Sequence, residues 1–342
     1  MPDTMKIGVL GAGTWGIALA RMLCNAGNPV TVWSAIEREI DNLSASGRHP
    51  NFPDVRLPEQ ISYTKDIGKA CTDMDILVFA VPSPFVRQTA GRSTPYIKSG
   101  QIVVDVAKGI EEGTLYTMTE IIADELKNPA VKLVALSGPT HAEEVIKDLP
   151  TTIVSASSDA EAAATVQRVF TTGCMRVYTN DDVRGVELCG AMKNVIALAS
   201  GIATGLGCGD NARAALITRG IAEISRLGTV MGCKEQTFGG LAGIGDLIVT
   251  ATSMHSRNNR CGVLIGQGVP VGKAIEQVGM VVEGINALPA AIRLAKKYKV
   301  ELPIVETVDA VVNGKVDVSM AIQKLMSREP KSELSGSAFN HI

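Results

Sequence analysis

Gly11-Ala12-Gly13-Thr14-Trp15-Gly16 follows directly on the apolar run Lys6-Ile7-Gly8-Val9-Leu10 and runs straight into Ile17-Ala-Leu-Ala-Arg-Met-Leu-Cys-Asn-Ala26. The first run reads as a short buried strand and the last segment as a helix. In that setting a G-x-G-x-x-G turn lets backbone amides approach a pyrophosphate at a helix N-terminus, where the helix dipole favours negative charge. Glycine patterns also occur in loops that need only positive φ. A strand before and a helix after make dinucleotide binding the stronger reading, with NAD(H), NADP(H) or FAD as ligand.

The first half of the chain repeats this alternation. Val30-Thr-Val-Trp33, Asp75 to Val81, Gln101 to Asp105, Val131 to Leu136 and Thr151 to Ser155 read as strands, with helices expected at Ala35 to Ser44 and Phe85 to Ala90 between them. Strands separated by helices imply right-handed crossovers and a mostly parallel sheet. Beyond about Asn180 strand-like runs stop, and helical patterns fill 182–204, 210–231, 255–268, 284–298 and 302–326. The expected fold is therefore α/β: a doubly wound, mostly parallel Rossmann sheet over 1–180, then an all-helical domain over 181–327. A flexible tail is expected over 328–342. A chain of 342 residues is long enough for two such cores.

Charge and cysteine use exclude several classes. The net charge is −2, from 33 basic and 35 acidic residues closely interspersed, so neither nucleic acid nor an anionic membrane is an expected partner. Seven dispersed cysteines without a C-x-x-C pair suit reduced thiols in a cytoplasm, and four scattered histidines give no metal site. The stretch from Ile7 to Ala18-Leu19-Ala20 imitates a secretory signal, but its glycines and Asp3 argue against one, and cleavage would discard the glycine motif. The uncharged run Asn194 to Gly209 is too short to span a bilayer.

Charged residues embedded in small, apolar sequence mark candidate chemistry. Lys193, in Glu187-Leu-Cys-Gly-Ala-Met-Lys193-Asn194, either snorkels to solvent or lines a cleft where burial lowers its pKa for proton transfer. Asp246, in the Gly-rich stretch Gly239 to Thr250, is either a helix start or a buried anion whose cationic partner is Lys193. Thr250 to Arg260 gathers hydroxyls, amides and guanidinium groups at a helix start, which suits a phosphate as well as a solvated turn. Lys108 follows one strand and Ser137-Gly138-Pro139-Thr140-His141 another, at the strand ends where open α/β sheets bind ligands. His141 is a rival general acid or a polar filler.

With these segments in order, the chain closely resembles the bacterial-type NAD(P)-dependent glycerol-3-phosphate dehydrogenases over roughly residues 5 to 328. The resemblance is carried by Gly11-Ala-Gly-Thr-Trp-Gly16, Asn51-Phe-Pro-Asp-Val-Arg-Leu-Pro58, Phe79-Ala-Val-Pro-Ser83, Ala107-Lys-Gly-Ile-Glu111 and Ser137-Gly-Pro-Thr140. It continues through Gly185 to Asn194, Gly207 to Asn211, Leu241 to Asp246, Ser256-Arg-Asn258 and Val282-Glu-Gly284. It implies reversible hydride transfer between NAD(P)H and C2 of dihydroxyacetone phosphate, giving sn-glycerol 3-phosphate for phospholipid synthesis. By that resemblance Lys193 is the proton donor and acceptor, and Asp246 and Lys108 share its site. Gly138, Thr140, Ser256, Arg257 and Asn258 would hold the phosphorylated triose. Gly11, Gly13, Thr14, Trp15, Gly16, Ser34, Ala35, Lys108, Ala142, Arg257, Val281 and Glu283 would meet the cofactor. The helical second domain suits a homodimer.

Two departures stand out. The family often places Arg or His two residues after the tryptophan of the second strand, to read a 2′-phosphate, where this chain has Ala35 preceded by Ser34. No carboxylate ends the strand either, although Glu37 is close. Dual use of NAD and NADP, with a weak lean to NADP through Arg38, is the expectation. His141 stands where many relatives carry Phe. Two rival readings remain. A two-domain dehydrogenase of a 3-hydroxy acid or a ketopantoate-like substrate would have no need of Ser256-Arg257-Asn258, and a non-catalytic NADP(H)-responsive regulator would have no need of Lys193 and Asp246.

Overall fold

The computed structural model describes residues 4–330 and 332–333. Its first half holds β1 (Ile7–Leu10), α1 (Thr14–Asn25), β2 (Val30–Trp33), α2 (Glu37–Ser46), β3 (Ser62–Thr64), α3 (Ile67–Cys71), β4 (Ile76–Phe79), α4 (Val86–Ser93) and β5 (Ile102–Asp105). There follow α5 (Met118–Leu126), β6 (Lys132–Ser137), α6 (Ala142–Val145), β7 (Thr151–Ala156), α7 (Ala160–Phe170) and β8 (Met175–Asn180). The strands form one sheet in the order β3-β2-β1-β4-β5-β6-β7-β8. β1 to β6 run parallel, β7 runs antiparallel to β6, and β8 is parallel to β7.

Both faces of the central strands are covered, which is why they read as unbroken apolar runs. Alternate side chains go to opposite layers. Ile7, Val9, Ile76 and Val78 join one core with Ile17 and Leu19, while Leu10, Leu77, Phe79 and Val103 join another with Val86 and Ile121. The elements differ from the sequence reading at several points. α1 starts at Thr14, ahead of the apolar periodicity, because Gly13 is its N-cap. Two strands went unread: β3 is only Ser-Tyr-Thr, and β8 buries Met175 and Val177 between exposed Arg176 and Tyr178.

The chain divides into two compact units. One runs as far as Glu111 and includes Tyr116–Glu187; the other comprises Glu112–Leu115 and everything from Leu188 onward. The division falls within α8 (Val183–Gly205). After α8 come α9 (Asp210–Val230), α10 (Glu235–Phe238), α11 (Asp246–Thr252), α12 (Arg257–Gly266), α13 (Val271–Val278), α14 (Glu283–Tyr298), α15 (Pro303–Val312) and α16 (Val318–Met326). The single helix expected over 302–326 is two, broken at Gly314 (φ 66°), with the Asp317 side chain capping α16. The expected tail lies mostly outside the described residues; within them, Arg328 pairs with Glu301 at 3.1 Å.

By length and composition α8 is apolar enough to cross a membrane, yet its apolar window is wholly buried in the protein. Glycines let α12 lie against it with almost no side chain between. A Cβ at Gly201 would collide with the Asn259 carbonyl oxygen, and one at Gly262 with the Leu198 carbonyl oxygen, while Gly205 and Gly266 meet one turn further on. Gly262→Ala is therefore expected to lower Tm by roughly 3–10 °C, since overpacking costs about 1–3 kcal/mol in a domain of this size. Gly272→Ala, on α13 where a Cβ meets open space, should leave Tm unchanged or raise it slightly.

Candidate functional site

In the first unit, the sequence-selected residues collect at the C-terminal ends of parallel strands: Gly11–Gly16 after β1, Ser34 and Ala35 after β2, Lys108 after β5, and Gly138 and Thr140 after β6. That edge is where open α/β sheets take ligands. The three motif glycines have different work. Gly11 has φ +128° and its missing Cβ would sit 2.5 Å from the Ala80 carbonyl oxygen. Gly16 lets α1 pack on the Gly11 carbonyl. Gly13 is exposed with nothing near its Cβ position, and α1 begins behind it with no side-chain cap and no acidic residue in its first turn. Open backbone and uncapped N–H groups at a twelve-residue helix suit a pyrophosphate, so the residues present fit a dinucleotide.

Lys108 is half-buried and anchored: its ammonium donates to the Gly138 carbonyl at 3.0 Å and to Thr140 Oγ1 at 3.2 Å. Gly138 adopts φ +148°, and a Cβ there would sit 3.0 Å from Ile153 Cα. His141 and Ala142 start the short α6 beside this pair.

In the second unit, Lys193 and Asp246 meet. Lys193, on α8 and 5% exposed, lies 2.7 Å from Asp246 Oδ1, and Asp246 is 1% exposed. The ammonium also donates to Thr250 Oγ1 at 2.5 Å, and that hydroxyl donates to the Asp246 carbonyl at 2.7 Å. Lys193 does not snorkel. Asp246 is the first residue of α11, set there by a widened turn at Leu241–Gly245 in which Gly243 leaves helical geometry. Such turns recur where a helix must aim a functional side chain.

Ser256 caps α12, accepting from the Asn259 N–H at 3.2 Å. The Asn258 amide donates to Asn194 Oδ1 at 2.9 Å and accepts from the Gly284 N–H at 2.8 Å, tying α8, α12 and the start of α14 together. Arg257, half-buried at the first position of α12, has no ion-pair partner among the described residues. An uncommitted guanidinium beside a capped helix N-terminus suits a bidentate oxyanion. Val281 and Glu283 lie at the start of α14.

These local geometries belong to a recognised protein family. The family model described as NAD-dependent glycerol-3-phosphate dehydrogenase N-terminus matches residues 6–163, and the corresponding C-terminus model matches residues 182–323. The chain belongs to that family. It is 63% identical over 334 residues to glycerol-3-phosphate dehydrogenase [NAD(P)+] 2 of Lactobacillus delbrueckii subsp. bulgaricus, covering 96% of this chain and 99% of that one. The glycerol-3-phosphate dehydrogenase [NAD(P)+] of Agathobacter rectalis is 49% identical over 96% of this chain and 98% of its own. The crystal structure of glycerol-3-phosphate dehydrogenase from Coxiella burnetii superimposes with a TM-score of 0.91 at 36% identity, over 96% of this chain and all of that one.

Sequence reasoning missed a second set of polar residues. Thr250 was legible in principle, four residues after Asp246 on one helical face. A cluster around Glu187 was not. Its buried carboxylate accepts from Thr117 Oγ1 at 2.7 Å, Thr119 N–H at 2.8 Å and Thr119 Oγ1 at 2.6 Å. Burial nevertheless pushes it up to about 7, with Thr119 and Thr117 opposing and Glu120 adding to the rise. Asp105, at the end of β5, is also pushed well up, by burial and by the charge of Glu187. In the second unit, Glu223 caps α15 by accepting from the Ile304 N–H at 2.8 Å, and burial raises it to about 7 as well.

Between about pH 4.5 and pH 7, Glu187 and Glu223 hold protons that the unfolded chain has already released. Their contribution to stability is complete below the ordinary value of 4.5 for Glu and is lost as pH rises through about 7. Tm should thus fall between about pH 5 and pH 8, and Glu187→Gln should flatten its share of that slope in calorimetric scans. A Tm that rises over the same interval would contradict the protonation of these groups.

Proposed function

We propose that this chain interconverts dihydroxyacetone phosphate and sn-glycerol 3-phosphate, with NAD(H) or NADP(H) as hydride carrier and glycerol 3-phosphate for phospholipid synthesis as product. The observation that carries the reading is the buried Lys193–Asp246–Thr250 cluster in the unit that also bears the uncommitted Arg257. When bound, the reduced nicotinamide supplies the hydride that C2 of the ketone accepts.

Negative charge then develops on the C2 oxygen. Lys193 both stabilises it and supplies the proton that makes it a hydroxyl; in the reverse direction it takes that proton back. Asp246 and Thr250 hold the ammonium in one place. Ser256, Arg257 and Asn258 take the phosphate end, and that remote binding orients C2. Lys108, Gly138 and Thr140 complete the substrate contacts in this reading. Gly11 to Gly16, Ser34, Ala35, Lys108, Ala142, Arg257, Val281 and Glu283 serve the cofactor. A cytoplasmic homodimer is part of the same proposal; all seven cysteines are free thiols, as a reducing compartment keeps them.

The direct test follows consumption of NADH and NADPH with dihydroxyacetone phosphate against unphosphorylated dihydroxyacetone. Only the phosphorylated ketone should support rapid turnover. Lys193→Met should lower kcat by about 10²–10⁴ with little change in cofactor Kd. Circular dichroism must accompany it, because Asp246 is left buried without its cation. Arg257→Ala should cut kcat/KM for dihydroxyacetone phosphate by about a hundredfold and collapse the preference over dihydroxyacetone. An unchanged preference would move the phosphate to Lys108.

A further inference from the structure

Cofactor choice is the point the sequence leaves open, and the end of β2 bears directly on it. Ser34, buried just beyond Trp33, donates through Oγ to Glu39 Oε2 at 2.5 Å and accepts from the Ile36 N–H at 3.1 Å. The short bond folds a carboxylate from the first turn of α2 back onto the strand end. His49 lies close enough to Glu39 to feel its charge, and the backbone of Ala12 in the glycine turn acts on the same ring. Glu39 is therefore held at the end of β2, on the side of the glycine turn.

Its neighbours leave it uncompensated. Glu37 and Asp41 are engaged by Lys65, at 3.5 and 2.8 Å. His49 accepts from the Asn51 N–H through Nδ1 at 3.1 Å, and burial lowers its pKa, so the ring is neutral near pH 7 and offers Glu39 no cation. Among the described residues Glu39 has no ion pair, and nothing donates to Oε1. Ala35 and Arg38 are exposed.

We infer that Glu39 is the specificity-determining residue of the cofactor site: its carboxylate accepts from the ribose hydroxyls of NAD(H) and repels the 2′-phosphate of NADP(H). In dinucleotide folds an acidic residue near this strand end reads the 2′-OH and an arginine accommodates the phosphate. Here the acid arrives from the helix, with Ser34 fixing one oxygen and leaving the other for the ribose. A dianion beside a carboxylate with no cation between them is disfavoured, and because Glu39 is only half-buried the repulsion is screened by salt. On this inference the preference falls to NAD(H), where Arg38 alone would favour NADP(H).

The inference rests on the dinucleotide-dependent function proposed above, and is tested by binding so that the two fail separately. The intact protein is titrated calorimetrically with NADH and NADPH, and with 5′-AMP and 2′,5′-ADP as fragments differing at the 2′-phosphate. Wild type should bind NADH at least about tenfold more tightly than NADPH, with the fragments in the same order. Glu39→Gln should bring the ratio within about threefold, chiefly by tightening NADPH. Ser34→Ala, which frees the carboxylate without removing it, should narrow the ratio less. Added salt should narrow the wild-type ratio and leave that of Glu39→Gln unmoved, a response that a merely structural glutamate would not give. Equal or tighter binding of NADPH by wild type, or an unchanged ratio in Glu39→Gln, overturns the inference. Selective NADH binding without turnover of dihydroxyacetone phosphate supports it while overturning the proposed reaction.

Discussion

Burying Lys193 and Asp246 together is the constraint around which the helical unit is arranged. Taking two such ions out of water costs several kcal/mol each, and their attraction offsets this only with close geometry and further hydrogen bonds. Each requirement is met by a distinct local feature. The widened turn at Leu241–Gly245 swings Asp246 to the first position of α11, where the helix dipole favours a carboxylate. Thr250, one turn on, bridges both partners. The glycine contacts of Gly201 and Gly205 with α12 bring that helix close to α8, and the amide of Asn258 then reaches Asn194, the neighbour of Lys193. The ammonium is thereby fixed in place and shielded from solvent.

The sheet unit is governed by backbone approach. The Gly11 Cβ would strike Ala80 and the Gly16 Cβ would strike Gly11, whereas Gly13 faces open space. Two of the three glycines thus serve the packing of β1, β4 and α1, and the third keeps the helix N-terminus uncovered. Packing that α1 needs for stability is the same packing that presents its free N–H groups, so fold and ligand site are not separable demands here.

What was legible in the chain follows how local its cause was. β1, β2, β4, β5, β6 and β7 are continuous apolar runs because both sheet faces are covered, and a run of that kind is visible in a few residues. β3 and β8 sit at the two ends of the sheet order, where short length and exposed Arg176 and Tyr178 remove the signal. The break at Asn313-Gly314 carried its own turn signal and was overrun by the apolar periodicity on either side. Lys193 and Asp246 stood out as charges in apolar sequence, and the pairing proposed for them holds in the structure. Glu187 stood in the same apolar helix, but its partners Thr117 and Thr119 are sixty-eight to seventy positions away, and nothing in spacing finds them. Glu39 escaped for another reason: Glu37 and Arg38 stand nearer the strand end in sequence, and no spacing shows that Ser34 turns the Glu39 carboxylate back.

Four kinds of neighbour give the chain's carboxylates different states from one chemical group. Asp246 has an ammonium at 2.7 Å and serves as a fixed anion that orients it. Glu187 and Glu223 accept from hydroxyls and backbone N–H groups, with the charge of Arg226 also favouring the Glu223 carboxylate, and burial outweighs these, so both retain protons towards neutrality. Asp105, which has an oxygen without a partner and the charge of Glu187 nearby, is driven further in the same direction. Glu39, half-exposed and held by one hydroxyl, has no ion-pair partner among the described residues. A carboxylate of the last kind is costly only to another anion, which is why its place near the glycine turn bears on choice between ligands rather than on the stability of the fold.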